Sequence, residues 1–95
     1  MTVMALTGDR YVGMYKGHAV ELIRNKWFKT LSLWIDGNRV ALELCIWPWP
    51  TTLTGTLEHD GGKHAIVARS IPRHILWTTD TVEVDGEALA LKKTY

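Results

Sequence analysis

Little in this chain of 95 residues is of a kind that announces chemistry. It has one cysteine, Cys45, so no internal disulfide can form and the fold must stand on packing. Its three prolines and eight glycines are too few for a low-complexity chain. Charge of one sign is missing too. With 11 Lys and Arg against 10 Asp and Glu, the formal net charge is +1, which argues against a broad nucleic-acid or membrane-surface footprint. The longest apolar stretch, Cys45 to Pro50, is far below a membrane span. Met1 to Arg10 lacks the basic start and the apolar length of a signal peptide. The expectation is a cytoplasmic protein with no membrane contact.

The usual marks of catalysis are equally sparse. Gly61-Gly62 is turn chemistry without the Lys-Ser/Thr and helix of a phosphate loop. Asp36, Asp60 and Asp85 are explained as turn formers rather than as paired carboxylates. Ser32 and Ser70 lie in strand-like runs with no neighbouring His-Asp arrangement, and Cys45 reads as structural or merely solvent-facing. No catalytic residue and no cofactor is expected, and the protein is read as a non-enzyme. His59 and His64 flank the Asp60-Gly61-Gly62 turn and could approach each other across a hairpin, but they lack a recognised ligand spacing, so no metal is expected either.

What is present is alternation. Apolar residues make up 46% of the chain and charged residues 22%, an ordinary globular balance for one domain spanning residues 1–95, with 1–9 as a loose N-terminal segment. Three Asp-Gly dipeptides, Asp36-Gly37, Asp60-Gly61 and Asp85-Gly86, each divide runs of apolar or alternating residues, the signature of a type I′ hairpin. Leu31, Leu33 and Ile35 alternate before the first; Val40, Leu42, Leu44 and Ile46 alternate after it. Two earlier strands, Arg10–Tyr15 and His18–Arg24, are expected to join at Lys16-Gly17. A helix through residues 18–34 is the competing reading, because Val20, Ile23, Trp27 and Trp34 also fit helical spacing, but no convincing N-cap precedes it.

About eight short strands result, and they repeat. His18-Ala19-Val20 precedes Asp36-Gly37 and then Val40-Ala41-Leu42; His64-Ala65-Ile66 precedes Asp85-Gly86 and then Leu89-Ala90-Leu91. Two similar meanders facing each other bury one side of each sheet, so the fold class is all-β, an antiparallel β-sandwich. Its core is expected from Val20, Leu22, Leu31, Leu33, Ile35, Val40, Leu42, Leu44, Leu53, Leu57, Ile66, Val82, Val84, Leu89 and Leu91.

His18-Ala-Val-Glu-Leu followed by Leu31-Ser-Leu-Trp-Ile-Asp-Gly, then Leu53-Thr-Gly-Thr-Leu, then Thr81-Val-Glu-Val-Asp-Gly-Glu-Ala-Leu-Ala-Leu-Lys-Lys, resembles the strand and hairpin pattern of the Fas apoptotic inhibitory molecule family. The resemblance covers roughly Lys16 to Tyr95, one domain of a family whose better-known members carry two. It implies a compact antiparallel β-sandwich without catalytic activity, in a family linked to cell-death regulation and to protecting other proteins from aggregation.

Five tryptophans are many for this length: Trp27, Trp34, Trp47, Trp49 and Trp77. Trp34 falls on the side opposite Leu31, Leu33 and Ile35 and so should point outward. Trp47-Pro48-Trp49-Pro50 is stiff, since each proline fixes its own φ and restricts the residue before it. An exposed aromatic group of this kind marks an interface. The bland alternative is that the rings cap the open ends of the sandwich. Arg24-Asn-Lys-Trp-Phe-Lys29 interleaves basic and aromatic residues as single-strand binders do, but the rest of the chain is not basic, and a solvated hairpin end is the better account. The expected function is a non-catalytic protein-interaction module, self-associating or binding another protein, through Trp34, Trp47, Trp49 and Trp77. No nucleic-acid partner is expected. The alternative is a small-ligand or carbohydrate-binding domain on the same rings.

Overall fold

The computed structural model describes residues 8–46, 49–74 and 77–94, without the side chains of His74, Trp77 and Thr78. Among the described residues nine strands run in order: β1 (Gly8–Tyr15), β2 (His18–Asn25), β3 (Thr30–Ile35), β4 (Asn38–Leu44), β5 (Thr51–His59), β6 (Gly62–His74), β7 (Trp77–Val84), β8 (Glu87–Ala88) and β9 (Lys92–Lys93). There is no helix among the described residues, so the helical reading of 18–34 fails. The larger sheet has the order β4-β3-β2-β1-β9 and the smaller one β5-β6-β7-β8. Every pairing is antiparallel. These are the two meanders of the sequence reading, packed face to face as a β-sandwich.

Turn chemistry sets the hairpins. Asp36-Gly37, Asp60-Gly61 and Asp85-Gly86 each place two successive residues at positive φ, and Lys16-Gly17 does the same, with φ of 49° and 84°. That pair of angles is what a two-residue hairpin needs to match the strand twist. Asp tolerates the left-handed region better than most residues; Lys16 has no such advantage.

β1 begins at Gly8, so Gly8 and Asp9, expected in the loose N-terminal segment, belong to it; residues 1–7 lie outside the described residues. The core comprises Val20, Leu22, Leu31, Leu33, Ile35, Leu53, Leu57, Ile66, Ala68, Val82 and Val84. Each lies on the inward side of its strand, as the period of two required.

The second arm of the first hairpin departs from expectation. Ile35 faces Asn38 and Trp34 faces Arg39, but Leu33 then faces Ala41 and Leu31 faces Glu43, leaving Val40 unpaired. Without that extra residue, Leu33 would face Val40 and Leu31 would face Leu42. A one-residue bulge exchanges the two sides of everything beyond it. Ala41 and Cys45 therefore pack against the core, while Leu42 and Leu44 turn out to solvent at 45% and 63% exposure. Val40, also expected in the core, is 43% exposed. These three residues are corrections to the core read from the sequence.

The last hairpin also divides. β8 pairs with β7, and the chain then crosses to the other sheet, where β9 pairs with β1. Leu89 and Leu91, on the crossing, are partly buried against the core. Gly13 makes room for this passage: a Cβ there would lie 2.7 Å from the Ala90 carbonyl oxygen and 2.8 Å from Leu89 Cδ2.

Candidate functional site

The outer side of the larger sheet carries the candidate surface. Glu21 faces Trp34, Ile23 faces Ser32, and Ser32 faces Leu42. Since Leu22 and Leu33 point inward, these residues share the opposite side, and on β1 so do Arg10, Val12 and Met14. Trp34 lies outward, as read from the sequence. Its indole Nε1 donates to Ser32 Oγ at 2.8 Å, so the ring lies along the sheet and helps bury Ser32, which is 7% exposed. Arg10 and Glu21 pair on this side at 2.9 Å. The result is an apolar strip of Leu42, Leu44, Trp34 and Ile23 crossed by one ion pair.

Beyond β4, Ile46 and Trp49 add exposed apolar surface. Ile46 is 47% and Trp49 68% exposed, with the Trp49 N–H closing a turn onto the Ile46 carbonyl at 3.0 Å. Trp47 lies outside the described residues, and so does the side chain of Trp77, whose backbone opens β7. Sequence reasoning missed Leu42 and Leu44 as surface residues, because it lacked the bulge. The β2–β3 turn, read from the sequence as a solvated hairpin end, is one. There Asn25 Oδ1 accepts from the N–H groups of Trp27 and Phe28 at 2.9 and 3.2 Å, and both rings stand in solvent.

Between the sheets lie two polar layers. At the end bearing Asn25, Arg24 of β2 makes a bidentate pair with Asp80 of β7 (Nη1–Oδ2 2.8 Å, Nη2–Oδ1 2.7 Å) and donates to Ser70 Oγ. Asp9 Oδ2 adds a second carboxylate at 3.5 Å. Burial works against the guanidinium charge, but the Asp80 hydrogen bonds and charge outweigh it and raise the Arg24 pKa. Burial, helped by Asp80 and Asp9, raises that of the neighbouring Tyr11. Cys45 is half-buried and in no disulfide, and its thiol donates to Ser70 Oγ at 3.8 Å.

At the opposite end, where the Asp-Gly turns cluster, the sequence repeat acquires a physical meaning. Asp36 accepts from the Ala19 N–H at 3.0 Å and lies 2.7 Å from His18 Nδ1; Asp85 accepts from the Ala65 N–H at 2.9 Å and lies 2.6 Å from His64 Nδ1. The histidine contact, then the backbone N–H, hold both carboxylates below their ordinary pKa. His59 and His64 do not meet as the sequence suggested. His59 packs edge-on against His18, and His64 against Tyr15, both with ring centroids 5.2 Å apart. An open groove of about 460 Å³ beside His18 is lined by Ile35, Val40, Leu57, Glu58 and Lys63 among others, and by none of Trp27, Trp34 or Trp49. Among the described residues no three His, Cys, Asp or Glu side chains are grouped to hold a metal ion. No family model matches the chain, and neither the curated proteins nor the solved structures contain a match to it.

Proposed function

We propose that the protein is a non-catalytic interaction module whose binding surface is the outer side of the larger sheet, centred on Leu42, Leu44 and Trp34 and extended by Ile46 and Trp49. The supporting observation is the bulge at Val40, past which Ala41 packs against the core and Leu42 and Leu44 stand out in solvent. Leaving a leucine in water forgoes up to about 1.5–3 kcal/mol of burial. A bound partner recovers that energy. β4 is also the edge of its sheet, where a strand can be extended by another chain, so a second copy is the first partner to test. We also propose kinship with the Fas apoptotic inhibitory molecule family, on the hairpin pattern alone, with no role transferred from it.

The test is light scattering coupled to size exclusion over a concentration series. The wild-type mass should rise toward twice the monomer, and the Leu42→Glu, Leu44→Glu double variant should remain monomeric with its fold intact. A wild type that is monomeric throughout removes the second copy as partner. A double variant that still associates moves the surface elsewhere. The alternative reading, a small ligand or carbohydrate on the exposed rings, draws on Trp49 and Trp27. A saturable tryptophan fluorescence change in a monomeric protein would favour it.

A further inference from the structure

His18 and His59 come from different sheets, and their ring nitrogens face each other directly. His18 Nε2 and His59 Nδ1 are 3.1 Å apart, with ring planes at 88°. The two outer nitrogens are each held by a carboxylate: His18 Nδ1 by Asp36 Oδ2 at 2.7 Å, and His59 Nε2 by Asp60 Oδ2 at 3.2 Å. The four side chains form one line from the β3–β4 turn, across the gap between the sheets, to the β5–β6 turn. We propose that this line is an acid-sensitive clasp that holds the turn-bearing end of the sandwich closed.

The number of ring hydrogens decides which of these contacts can coexist. A carboxylate only accepts, so each outer nitrogen that meets one must carry a hydrogen. The inner contact needs one hydrogen, on one of the two facing nitrogens. All three contacts are made when the pair of rings carries three N–H groups and a single positive charge. With no charge, the inner contact survives and only the Asp60 end, on an 89% exposed side chain, lets go. With two charges, both inner nitrogens carry hydrogens, N–H points at N–H, and the contact between the sheets is lost. Two separate imidazoles in an open chain face no such limit and both charge in mild acid. The closed pair is best satisfied with one proton beyond neutral, so the open form binds more protons only below the ordinary imidazole pKa of about 6.5, and closure weakens as pH falls from there.

The equivalent station on the other half of the repeat behaves differently. His64 Nδ1 faces both Asp85 Oδ2 at 2.6 Å and the Tyr15 hydroxyl at 3.4 Å. One N–H on Nδ1 serves both oxygens, and a second proton adds at the far nitrogen without opposing either. His64 is thus the internal control. The other charged groups near the clasp are Glu58 and Lys63 at the groove, and Lys16, whose Nζ lies 5.5 Å from the Tyr15 ring centroid. None of the three takes part in the contacts that make up the clasp.

The experiment is urea unfolding of the full chain from pH 7.5 to 5, with nuclear Overhauser contacts between the His18 and His59 rings followed over the same range. Below about pH 6.5 the wild-type unfolding constant should rise, by up to about tenfold per pH unit for one extra proton taken up, and the ring-to-ring contacts should disappear in step. His59→Gln should flatten that slope, and His64→Gln should retain it. If His59→Gln proves too unstable to measure, the wild-type ring contacts decide alone. Ring contacts that persist to pH 5 with both imidazoles charged, or a His59→Gln slope equal to wild type, overturn the proposal.

Discussion

Leu33 of β3 faces Ala41 of β4, while its neighbour Trp34 faces Arg39, so Val40 has no residue opposite it. That unpaired residue decides which side of β4 meets the core. Up to the bulge, β4 follows the register set by the Asp36-Gly37 hairpin. Past it, Ala41 and Cys45 pack against the core and the leucines turn outward.

Substitutions on the two sides of this strand pair should therefore differ sharply. Leu42→Glu and Leu44→Glu should each change the stability of the monomer by no more than about 0.5 kcal/mol, as exposed positions do. Leu33→Ala and Leu22→Ala, at fully buried sites, should each cost about 2–5 kcal/mol. Urea unfolding at low protein concentration measures both.

The Arg24–Asp80 pair ties the sheets together at side-chain exposures of 13% and 3%. Removing Asp80 strips Arg24 of its bidentate partner and leaves it Ser70 and the longer contact to Asp9, so Asp80→Ala should destabilise by up to about 3–5 kcal/mol. Replacing both with apolar residues of similar volume should recover most of that loss. A double-mutant cycle by chemical unfolding checks the pair; a double variant as unstable as the single one would contradict this account.

Asp36 and Asp85 are held below the ordinary aspartate pKa, first by His18 and His64 and then by the N–H groups of Ala19 and Ala65. A carboxylate whose pKa is lowered on folding contributes stability that is fully present above its unfolded pKa of about 3.9. The contribution is lost as pH falls through the lower folded value. Asp36→Asn and Asp85→Asn should each reduce the steepness of the stability curve below about pH 4. Acid unfolding curves that superimpose on wild type would contradict the assignment. This window lies below the one in which the histidine clasp operates.

Gly13→Ala should loosen the crossing between β8 and β9. The added Cβ meets a carbonyl oxygen at 2.7 Å, and backbone must shift to admit it. A cost of about 1–3 kcal/mol is expected. Amide exchange should quicken at Thr94, whose N–H donates to the Arg10 carbonyl at 2.8 Å.

Much of the sandwich was legible because its signals are local. Asp-Gly at three positions marks three reversals, and Leu53 with Leu57, or Val82 with Val84, alternates over a few residues. The bulge was not legible, because Val40, Leu42 and Leu44 alternate equally well in either register. Only the packing of Ala41 and Cys45 against the opposite sheet selects one. The repeat of His18 with Asp36 and His64 with Asp85 was visible as a pattern. Its hydrogen bonds were not, since they depend on where the hairpins bring the turns. The His18–His59 contact, 41 residues apart, joins two sheets and leaves no periodic trace. Outward-pointing Trp34 was read correctly from period two alone; its bond to Ser32 needed coordinates.

The most direct test of the central claim is a dilution series followed by backbone amide shifts. If the bulge exists to present a binding side, concentration-dependent shifts should gather at Ile23, Trp34, Leu42, Leu44 and Ile46 and leave the smaller sheet unmoved. Shifts that are absent across the series, or that gather on β5 to β7 instead, would contradict the account.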